Sequence, residues 1–233
     1  MVLFFALTGV AAAQGIVQID AGIRGGLLAN GGSFRAHQLC SGAGCAFGTR
    51  SFTAEDLRGT VGPTVGALIY DRVEVRFEAV RRRFGYQTTF DLAVPSTTQH
   101  FVESVRGYFW EYPLLAMYHF GAGPARPFAG GGFSLGTSGS YTRTSEGTST
   151  LQLPGQPPTI TTSFSRQTFP FTAVDTYYLT GGVDGRVSYI SIRPEFRYSR
   201  LPGGSSSNAT AILRPNQFEF LLGITFHPFR VQK

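Results

Sequence analysis

Long apolar runs and cysteine are nearly absent from this 233-residue chain, and lysine occurs only once. No stretch approaches the roughly 18 consecutive apolar residues that a membrane-spanning helix needs, so the sequence excludes helical spans. Hydrophobic residues nevertheless make up 42% of the chain, with 30 Gly, 21 Phe and 10 Tyr. Aromatic and β-branched residues fit strands, and glycine fits turns. The composition therefore predicts a single all-β domain.

Residues 1–13 have the pattern of a secretory signal peptide. An apolar run from Val2 to Val10 is followed by Ala11-Ala12-Ala13, the small residues that are typical of a signal-peptidase site. Cleavage after Ala13 would leave a mature chain of residues 14–233. The charged segment that normally precedes the apolar run is missing. The alternatives are therefore a start codon further upstream and a hydrophobic first strand.

The two cysteines, Cys40 and Cys45, lie in a Gly/Ser-rich stretch with four residues between them. Exported proteins favour disulfides, so we expect a disulfide that closes this loop; two idle thiols are the alternative. No histidine or further cysteine stands at the spacing of a zinc site. We therefore expect no metal and no cofactor.

Apolar and polar residues alternate with period two in several segments, as in strands that face lipid on one side and a polar lumen on the other. In the last such segment the apolar face carries Phe218, Phe220, Leu222, Ile224 and Phe226, and the opposite face carries Gln217, Glu219, Leu221, Gly223 and Thr225. In the segment from Val187, Ile190 and Ile192 oppose Arg193 and Glu195. A soluble sheet also alternates, so alternation alone does not decide between the two.

The spacing of the segments favours a membrane barrel. Eight strands are predicted, at residues 16–28, 60–70, 73–89, 101–120, 127–142, 174–183, 187–199 and 216–226. Short turns at Asp71-Arg72, 121–126 and Asp184-Gly185-Arg186 alternate with longer, solvated connections at 29–59, 90–100, 143–173 and 200–215. Outer-membrane barrels have short periplasmic turns and longer extracellular loops. The sequence therefore predicts an eight-stranded antiparallel up-and-down transmembrane β-barrel with both termini on the periplasmic side.

Two neighbouring strands carry a resemblance to a known family. Residues 110–120 read WEYPLLAMYHF, and after a turn residues 126–132 read RPFAGGG. In this order they resemble the outer membrane protein beta-barrel domain family, which is related to the small OmpA/OmpX-like and opacity-type barrels. Arg197-Tyr198-Ser199 and the aromatic last strand add to the resemblance.

The resemblance implies an outer-membrane location in a bacterial cell. It also implies contact with outer-membrane lipid and lipopolysaccharide, and recognition by the barrel-assembly machinery during biogenesis. Many relatives end at or near the terminal aromatic residue of the last strand. Here Phe226 is followed by seven more residues, so either Phe226 or Phe229 could serve as the insertion signal.

Ten charged residues would point into the lumen if the apolar faces point to lipid. They are Asp20, Arg24, Glu74, Arg76, Glu78, Glu111, Arg193, Glu195, Arg197 and Glu219. The interior of an eight-stranded barrel is just wide enough for side chains, so these charges must pair or be hydrated. Among them, Arg193 and Glu219 on neighbouring strands are the pair that the pattern favours most. We expect a network that fills and rigidifies the barrel. The alternatives are a narrow path for protons, ions or water and, last, hydrolysis by a carboxylate pair.

The net charge of +6 is carried almost entirely by arginine. These residues are scattered and form no recognisable nucleic-acid module, so we expect no nucleic-acid partner. Arg81-Arg82-Arg83 forms the one cluster, beside Phe84 and Tyr86 towards the extracellular end of the third strand. Guanidinium groups suit phosphates, so the cluster is a candidate contact for lipopolysaccharide. The alternative is an ordinary solvated rim.

Histidine offers no catalytic constellation in the sequence. His119 lies near a periplasmic turn, His37 and His100 lie in loops, and His227 follows the last strand. None has a serine and an acid at a spacing that supports a triad, so all four are interpreted as exposed or interfacial. Outward-facing aromatic residues on the fourth strand, interpreted as interfacial girdles and lipid-facing wall, are Tyr108, Trp110, Tyr112, Tyr118 and Phe120.

The sequence thus favours a structural, surface-interaction or adhesion-type barrel with no catalysis. Binding residues concentrate on loops held by a rigid scaffold, so an extracellular ligand would bind through the loops. The second hypothesis is a narrow porin-like channel for ions or small solutes. More distant alternatives are a lipid-modifying outer-membrane enzyme and a soluble lipocalin-like binder, whose lumen would be apolar and whose exterior would be wet.

Overall fold

The computed structural model contains thirteen β-strands within the part of the chain that it describes. Described residues are 17–28, 34–36, 48–54, 59–121, 123–171, 176–200, 211–213 and 216–227. The strands are β1 (Val17–Leu28), β2 (Phe34–Ala36), β3 (Gly48–Ala54), β4 (Gly59–Ile69), β5 (Val73–Glu78), β6 (Val80–Val94), β7 (Thr97–His119), β8 (Ala125–Leu151), β9 (Thr159–Phe171), β10 (Tyr177–Val187), β11 (Ile190–Arg200), β12 (Ala211–Leu213) and β13 (Asn216–Phe226). No helix in these ranges is long and apolar enough to cross a membrane. The predicted signal peptide and the pair Cys40 and Cys45 lie outside the described residues.

Eight strand positions close into a barrel in chain order. β5 and β6 form one of them, interrupted at Ala79, because both pair with β4 and with β7 in an unbroken register. The ring continues through β8, β10, β11 and β13, and β13 pairs with β1 to close it. All of these pairs are antiparallel, and closure leaves no unpaired edge in the wall. The predicted fold class, an all-β eight-stranded antiparallel up-and-down barrel, is confirmed.

Side chains along each strand alternate between the outside and the lumen, as the pleat requires. On β13 every second residue from Gln217 to Thr225 is buried, and Phe218, Phe220 and Ile224 are exposed between them. β11 repeats this pattern, with Ser191, Arg193, Glu195 and Arg197 buried and Ile190, Ile192 and Phe196 exposed. The wall is therefore apolar outside and polar inside.

The short turns define one end of the barrel. Tyr70, Asp71 and Arg72 join β4 to β5. Tyr70 and Asp71 have φ values of 50° and 57°, the left-handed conformation of the two central residues of a type I′ turn, and Arg72 N–H donates to the carbonyl of Ile69 at 3.1 Å. The turn predicted at Asp184-Gly185-Arg186 is wrong, because β10 continues to Val187 and the chain reverses at Ser188-Tyr189. Asp-Gly is a common hairpin signal. Here the ladder pairs Gly185 with Ile192 instead, and Asp184 points into the lumen with no exposed surface.

At the opposite end, the solvated loops predicted at 90–100 and 143–173 are largely strand. β6 and β7 are joined through Pro95-Ser96, and β8 continues to Leu151 before β9 returns along it. The Ser/Thr-rich composition suggested loops, but threonine fits strands well, and the ladder pairs these backbones. Together with β3, which pairs with β6, these strands form a sheet that extends beyond the barrel wall.

Candidate functional site

The charged lumen is the most distinctive site of the molecule. All ten charged residues predicted to line it are buried, each at most 4% exposed. The structure also buries charged or titratable residues that were predicted elsewhere or not assigned, among them Arg82, Arg126, Asp184, His119 and His227. Such charges are costly to bury unless they are paired and hydrogen-bonded, and the pairing divides them into three groups along the barrel.

The middle group consists of two carboxylates and two guanidiniums, and Arg76 of the neighbouring group also contacts Glu195, at 3.5 Å. Arg24 contacts Glu78 at 2.5 Å and Glu195 at 2.9 Å. Arg197 contacts the same two carboxylates, each at 2.9 Å. Residues from β1, β5 and β11 therefore hold one another across the lumen. Each of the two carboxylates therefore contacts at least two guanidiniums.

The second group, nearer the short turns, is centred on Glu74. Its carboxylate accepts hydrogen bonds from Arg76 Nε at 2.8 Å and from Arg193 Nη1 at 3.0 Å. His119 Nε2 lies 2.6 Å from the other oxygen of Glu74. The interpretation of His119 as exposed or interfacial is wrong, because it has no exposed surface. The reason is parity: on β7 it continues the inward face that carries Glu111 and Met117.

The third group lies towards the extended sheet and is centred on Arg82. Its Nε donates to Glu111 at 2.5 Å, and its Nη1 and Nη2 groups contact the two oxygens of Glu219. Thr60 also donates to Glu219, at 3.2 Å. Arg82 was predicted to lie in an exposed arginine cluster that contacts lipopolysaccharide. This prediction is wrong, because Arg82 is buried. Successive residues of a strand point to opposite faces, so Arg82 turns inward between Arg81 and Arg83.

Arg81 and Arg83 remain on the outer face. The guanidinium of Arg81 lies 4.4 Å from the centre of the Tyr108 ring, and Arg83 is exposed. A guanidinium over an aromatic face is held by a cation–π attraction. The outer surface thus keeps two of the three arginines that the sequence grouped.

The predicted pair of Arg193 and Glu219 is wrong. In the ladder between β11 and β13, Arg193 lies opposite Gly223 and Glu219 lies opposite Arg197. The prediction counted upwards from a turn placed at Asp184 to Arg186. The true turn lies closer to Arg193, which places this side chain several residues nearer the short-turn end than Glu219.

An aromatic and apolar cluster lies beyond Arg82, on the side of the extended sheet. Phe84, Tyr86 and Val105 are buried there. Packed against them are Phe52, Phe109 and Tyr141. Phe84 follows Arg82 on the same inward face of β6, so the cluster continues the buried face from the ion pairs towards the extended sheet. We call these six residues the aromatic plug.

At the short-turn end the lumen opens into a cavity of about 670 Å³. Its lining is formed by Gln18, Asp71, Arg72, Gly121, Gly123, Pro124, Arg126, Arg186, Ser188, Tyr189 and His227. Asp184 lies beside it and contacts Arg126 at 3.2 Å and Arg186 at 2.9 Å. No group of three or more histidine, cysteine, aspartate or glutamate side chains within the described ranges could hold a metal ion.

Ser191, His227 and Asp20 form an arrangement that the sequence did not reveal. His227 Nε2 lies 2.5 Å from Ser191 Oγ, and His227 Nδ1 lies 4.0 Å from Asp20 Oδ2. The order of groups is that of a Ser–His–Asp triad. Ser191, however, has no exposed surface and also bonds Thr225 Oγ1 at 2.9 Å, so a substrate has no access to its hydroxyl. The sequence would have predicted this cluster only if the register between β11 and β13 were known, because that register places Ser191 opposite Thr225.

The interpretation of His227 as exposed or interfacial is also wrong, since it is only 3% exposed. It directly follows the last strand. Burial, and then the positive charge of Arg186, lower the pKa of His227 from its usual 6.5. The imidazole is therefore neutral near neutral pH. His100, by contrast, is exposed and lies 2.5 Å from Asp91 on the extended hairpin of β6 and β7.

Eight strands that follow chain order around a closed ring are the architecture of the small OmpA/OmpX-type barrels. No protein-family model and no curated protein matches the chain. Among solved structures, Neisserial surface protein A (NspA) is similar at 16% identity over 92% of this chain and 97% of that one, with a TM-score of 0.38. The N-terminal β-barrel domain of Pseudomonas aeruginosa OprF is similar at 13% identity over 90% and 98%, with a TM-score of 0.37. The outer membrane protease OmpT from Escherichia coli is similar at 9% identity over 90% and 96%, with a TM-score of 0.31.

Proposed function

We propose that this chain is an integral protein of the bacterial outer membrane, with a structural and surface-interaction role and no catalysis. The observation that carries the proposal is the inversion of polarity across the wall. On β11, Ile192 is 52% exposed while the adjacent Arg193 has no exposed surface. On β13, Phe220 is 51% exposed while the adjacent Glu219 has none.

A lipid environment explains this inversion. Soluble monomers rarely expose contiguous apolar patches beyond a few hundred Å², whereas a transmembrane barrel needs an apolar band around its whole circumference. The outer face carries Ile23, Leu27, Val75, Phe77, Leu179, Val183, Ile190, Phe196, Phe218, Leu222 and Ile224, all exposed. A lipocalin-like binder would have the opposite arrangement, with an apolar lumen. The proposed environment is therefore hydrocarbon outside and paired charge inside.

The packing of the lumen supports a structural role over conduction. Three ion-pair groups occupy the interior from Glu74 to Arg82, and the aromatic plug continues the inward face of β6 beyond Arg82. An ion crossing this interior would have to displace buried carboxylate–guanidinium pairs, and leaving one partner of such a pair unpaired is strongly unfavourable. The barrel is accordingly proposed to be closed to ions.

The extended sheet is the proposed interaction surface. It lies at the end opposite the short turns, which in outer-membrane barrels is the extracellular end. Every residue from 151 to 168 is exposed there, including Ile160 and Phe164 at 64% and 67%. A stiff hairpin with exposed aromatic and hydroxyl side chains suits an extracellular partner. Arg81 and Arg83, on the outer face nearby, are proposed to contact lipopolysaccharide phosphates.

Membrane fractionation and conductance test this function together. The full chain, expressed in a Gram-negative host, should fractionate with the outer membrane and migrate differently on a gel before and after boiling. The purified barrel should then be electrically silent in a planar bilayer. The matched variant F84A/Y86A, with part of the aromatic plug removed, should show more frequent transient openings. A soluble native protein would contradict the membrane location, and stable unit openings of the unmodified barrel would contradict the closed lumen.

A further inference from the structure

The cavity at the short-turn end has an unusual balance of charge for its size. Its lining includes three arginines, Arg72, Arg126 and Arg186, and one carboxylate, Asp71. Arg72 and Asp71 lie in the exposed turn between β4 and β5, whereas Arg126 is 5% exposed. The basic groups therefore reach from the rim to the cavity floor.

The carboxylate beneath the cavity is shared. Asp184 Oδ2 contacts Arg126 at 3.2 Å, Arg186 at 2.9 Å and Arg193 at 3.5 Å. All three guanidiniums approach the same oxygen. Arg193 is also paired with Glu74, so Asp184 is the carboxylate that Arg126 and Arg186 share, and the cavity lining keeps an excess of positive charge.

Hydrogen-bond donors at the cavity are also unused. Arg126 Nε and Arg186 Nη2 are buried and have no hydrogen-bond partner among the residues that the structure describes. Both residues line the cavity. A buried donor without a partner costs free energy that a bound acceptor would recover. Both the charge and the donors thus favour an oxyanion at this place.

We propose that this cavity binds a phosphate-bearing anion, with Arg126 and Arg186 donating to its oxygens. Guanidinium forks match phosphate oxygens in geometry and charge, and a tetrahedral phosphate offers acceptors to more than one fork at once. The cavity of about 670 Å³ is larger than inorganic phosphate and accommodates a small molecule that carries the group. In the proposed orientation the cavity faces the periplasm. Binding of the anion is measured on the purified barrel and does not depend on where the protein resides in the cell. A barrel that does not bind phosphate would leave the proposed function intact, and a protein found outside the outer membrane would leave the phosphate site intact.

Calorimetric titration of the full chain, folded in zwitterionic detergent, tests the site. Inorganic phosphate should bind at one saturable site, and glycerol 3-phosphate should compete with it. Acetate, which offers a carboxylate of the same charge sign, should bind more weakly. Absence of saturable phosphate binding would overturn the proposal, and acetate binding as tightly as phosphate would overturn the phosphate assignment.

Three variants place the site. Arg126→Gln should weaken phosphate binding by about tenfold or more, since it removes a charge-assisted hydrogen bond. Arg200→Gln, the same change on the exposed end of β11 away from the cavity, should leave the affinity within about twofold. Asp71→Asn removes the one carboxylate of the lining from an exposed turn, where folding is not at risk, and should strengthen binding. An Arg126→Gln barrel that is folded by its gel shift and binds like the unmodified protein would contradict the site. If Arg126→Gln does not fold, Asp71→Asn provides the test. Unchanged or weaker phosphate binding by Asp71→Asn would contradict the proposed site.

Discussion

Arg82 and Arg83 are adjacent in the sequence and lie in opposite environments. Arg82 is 7% exposed and holds Glu111 and Glu219 inside the barrel, whereas Arg83 is exposed on the outer face. The parity of the strand alone separates them. The two residues therefore form a matched pair for measuring what the lumen network contributes.

Arg82→Gln should lower the free energy of unfolding by about 3 to 5 kcal/mol, because it leaves two buried carboxylates without their partner. Arg83→Gln should change it by less than about 0.5 kcal/mol, as expected for an exposed position. Urea unfolding of the barrel in detergent, followed by tryptophan fluorescence, measures both. Equal effects of the two substitutions would mean that Arg82 does not face the network.

His227 predicts a dependence of stability on pH. Its pKa in the folded barrel lies below the usual 6.5 because of burial and the charge of Arg186. As the pH falls below about 6.5, the unfolded chain takes up a proton that the folded barrel refuses, so the stabilising contribution present at neutral pH is lost. The free energy of unfolding should therefore fall more between about pH 7.5 and pH 5.5 in the unmodified protein than in His227→Gln. An identical decline in both proteins would show that His227 does not titrate differently in the two states.

Residue patterns predicted which charges lie inside, but not how they pair. Alternation fixes the face of a side chain, and all ten predicted lumen charges are buried. Pairing across the lumen depends on the register, which a misplaced turn shifts for every residue of the strand. For this reason Arg193 was assigned to Glu219 but contacts Glu74. That turn was placed at Asp184 because Asp-Gly is a common hairpin signal.

At the scale of elements, the turn between β10 and β11 depends on one left-handed residue. Ser188 has a φ of 57°, a conformation that costs little for glycine and much for a β-branched residue. Ser188→Gly should raise the free energy of unfolding by about 0.5 to 1 kcal/mol, and Ser188→Val should lower it by about 1 kcal/mol or more. Chemical denaturation of both variants checks the order, and a valine variant as stable as the glycine variant would contradict the turn.

The hairpin of β8 and β9 reaches far beyond the barrel wall and contributes little to it. Residues 148–162 include the exposed tip, and Gly147 lies opposite Ser163 in the ladder. Replacing 148–162 with Asn-Gly, a sequence suited to a two-residue turn, should leave the gel shift on boiling intact. The ion pair between Arg143 and Glu103 is retained in this design. Loss of the folded gel band would show that the hairpin is part of the barrel's stability rather than an appended surface.

Composition misled the sequence analysis at these elements. The Ser/Thr-rich stretch at 143–171 lacks the alternation of a half-buried strand because both faces are solvated or only partly covered. Its strand structure comes from pairing with neighbours that the sequence does not identify. The wall strands were predictable because one face of each is apolar and the other is not.

At the scale of the whole molecule, the barrel wall separates a charged interior from an apolar exterior, which is the reverse of the polarity expected of a soluble β-barrel. The lumen holds buried ion pairs, and the outer face of the wall strands exposes apolar side chains. Strand count, closure and polarity followed from the spacing and alternation of the sequence. The cavity and the shared carboxylate of Asp184 did not, because they arise where three separate strands meet.

The most direct test of the account is quenching of a single tryptophan by lipids brominated along the acyl chain. In a Trp110→Phe background, which removes the only native tryptophan, Phe220→Trp places the probe on the outer face of β13. The account predicts strong quenching by brominated lipid and little quenching by acrylamide in the aqueous phase. Fluorescence that acrylamide quenches and brominated lipid does not would contradict the claim that this face lies in the membrane.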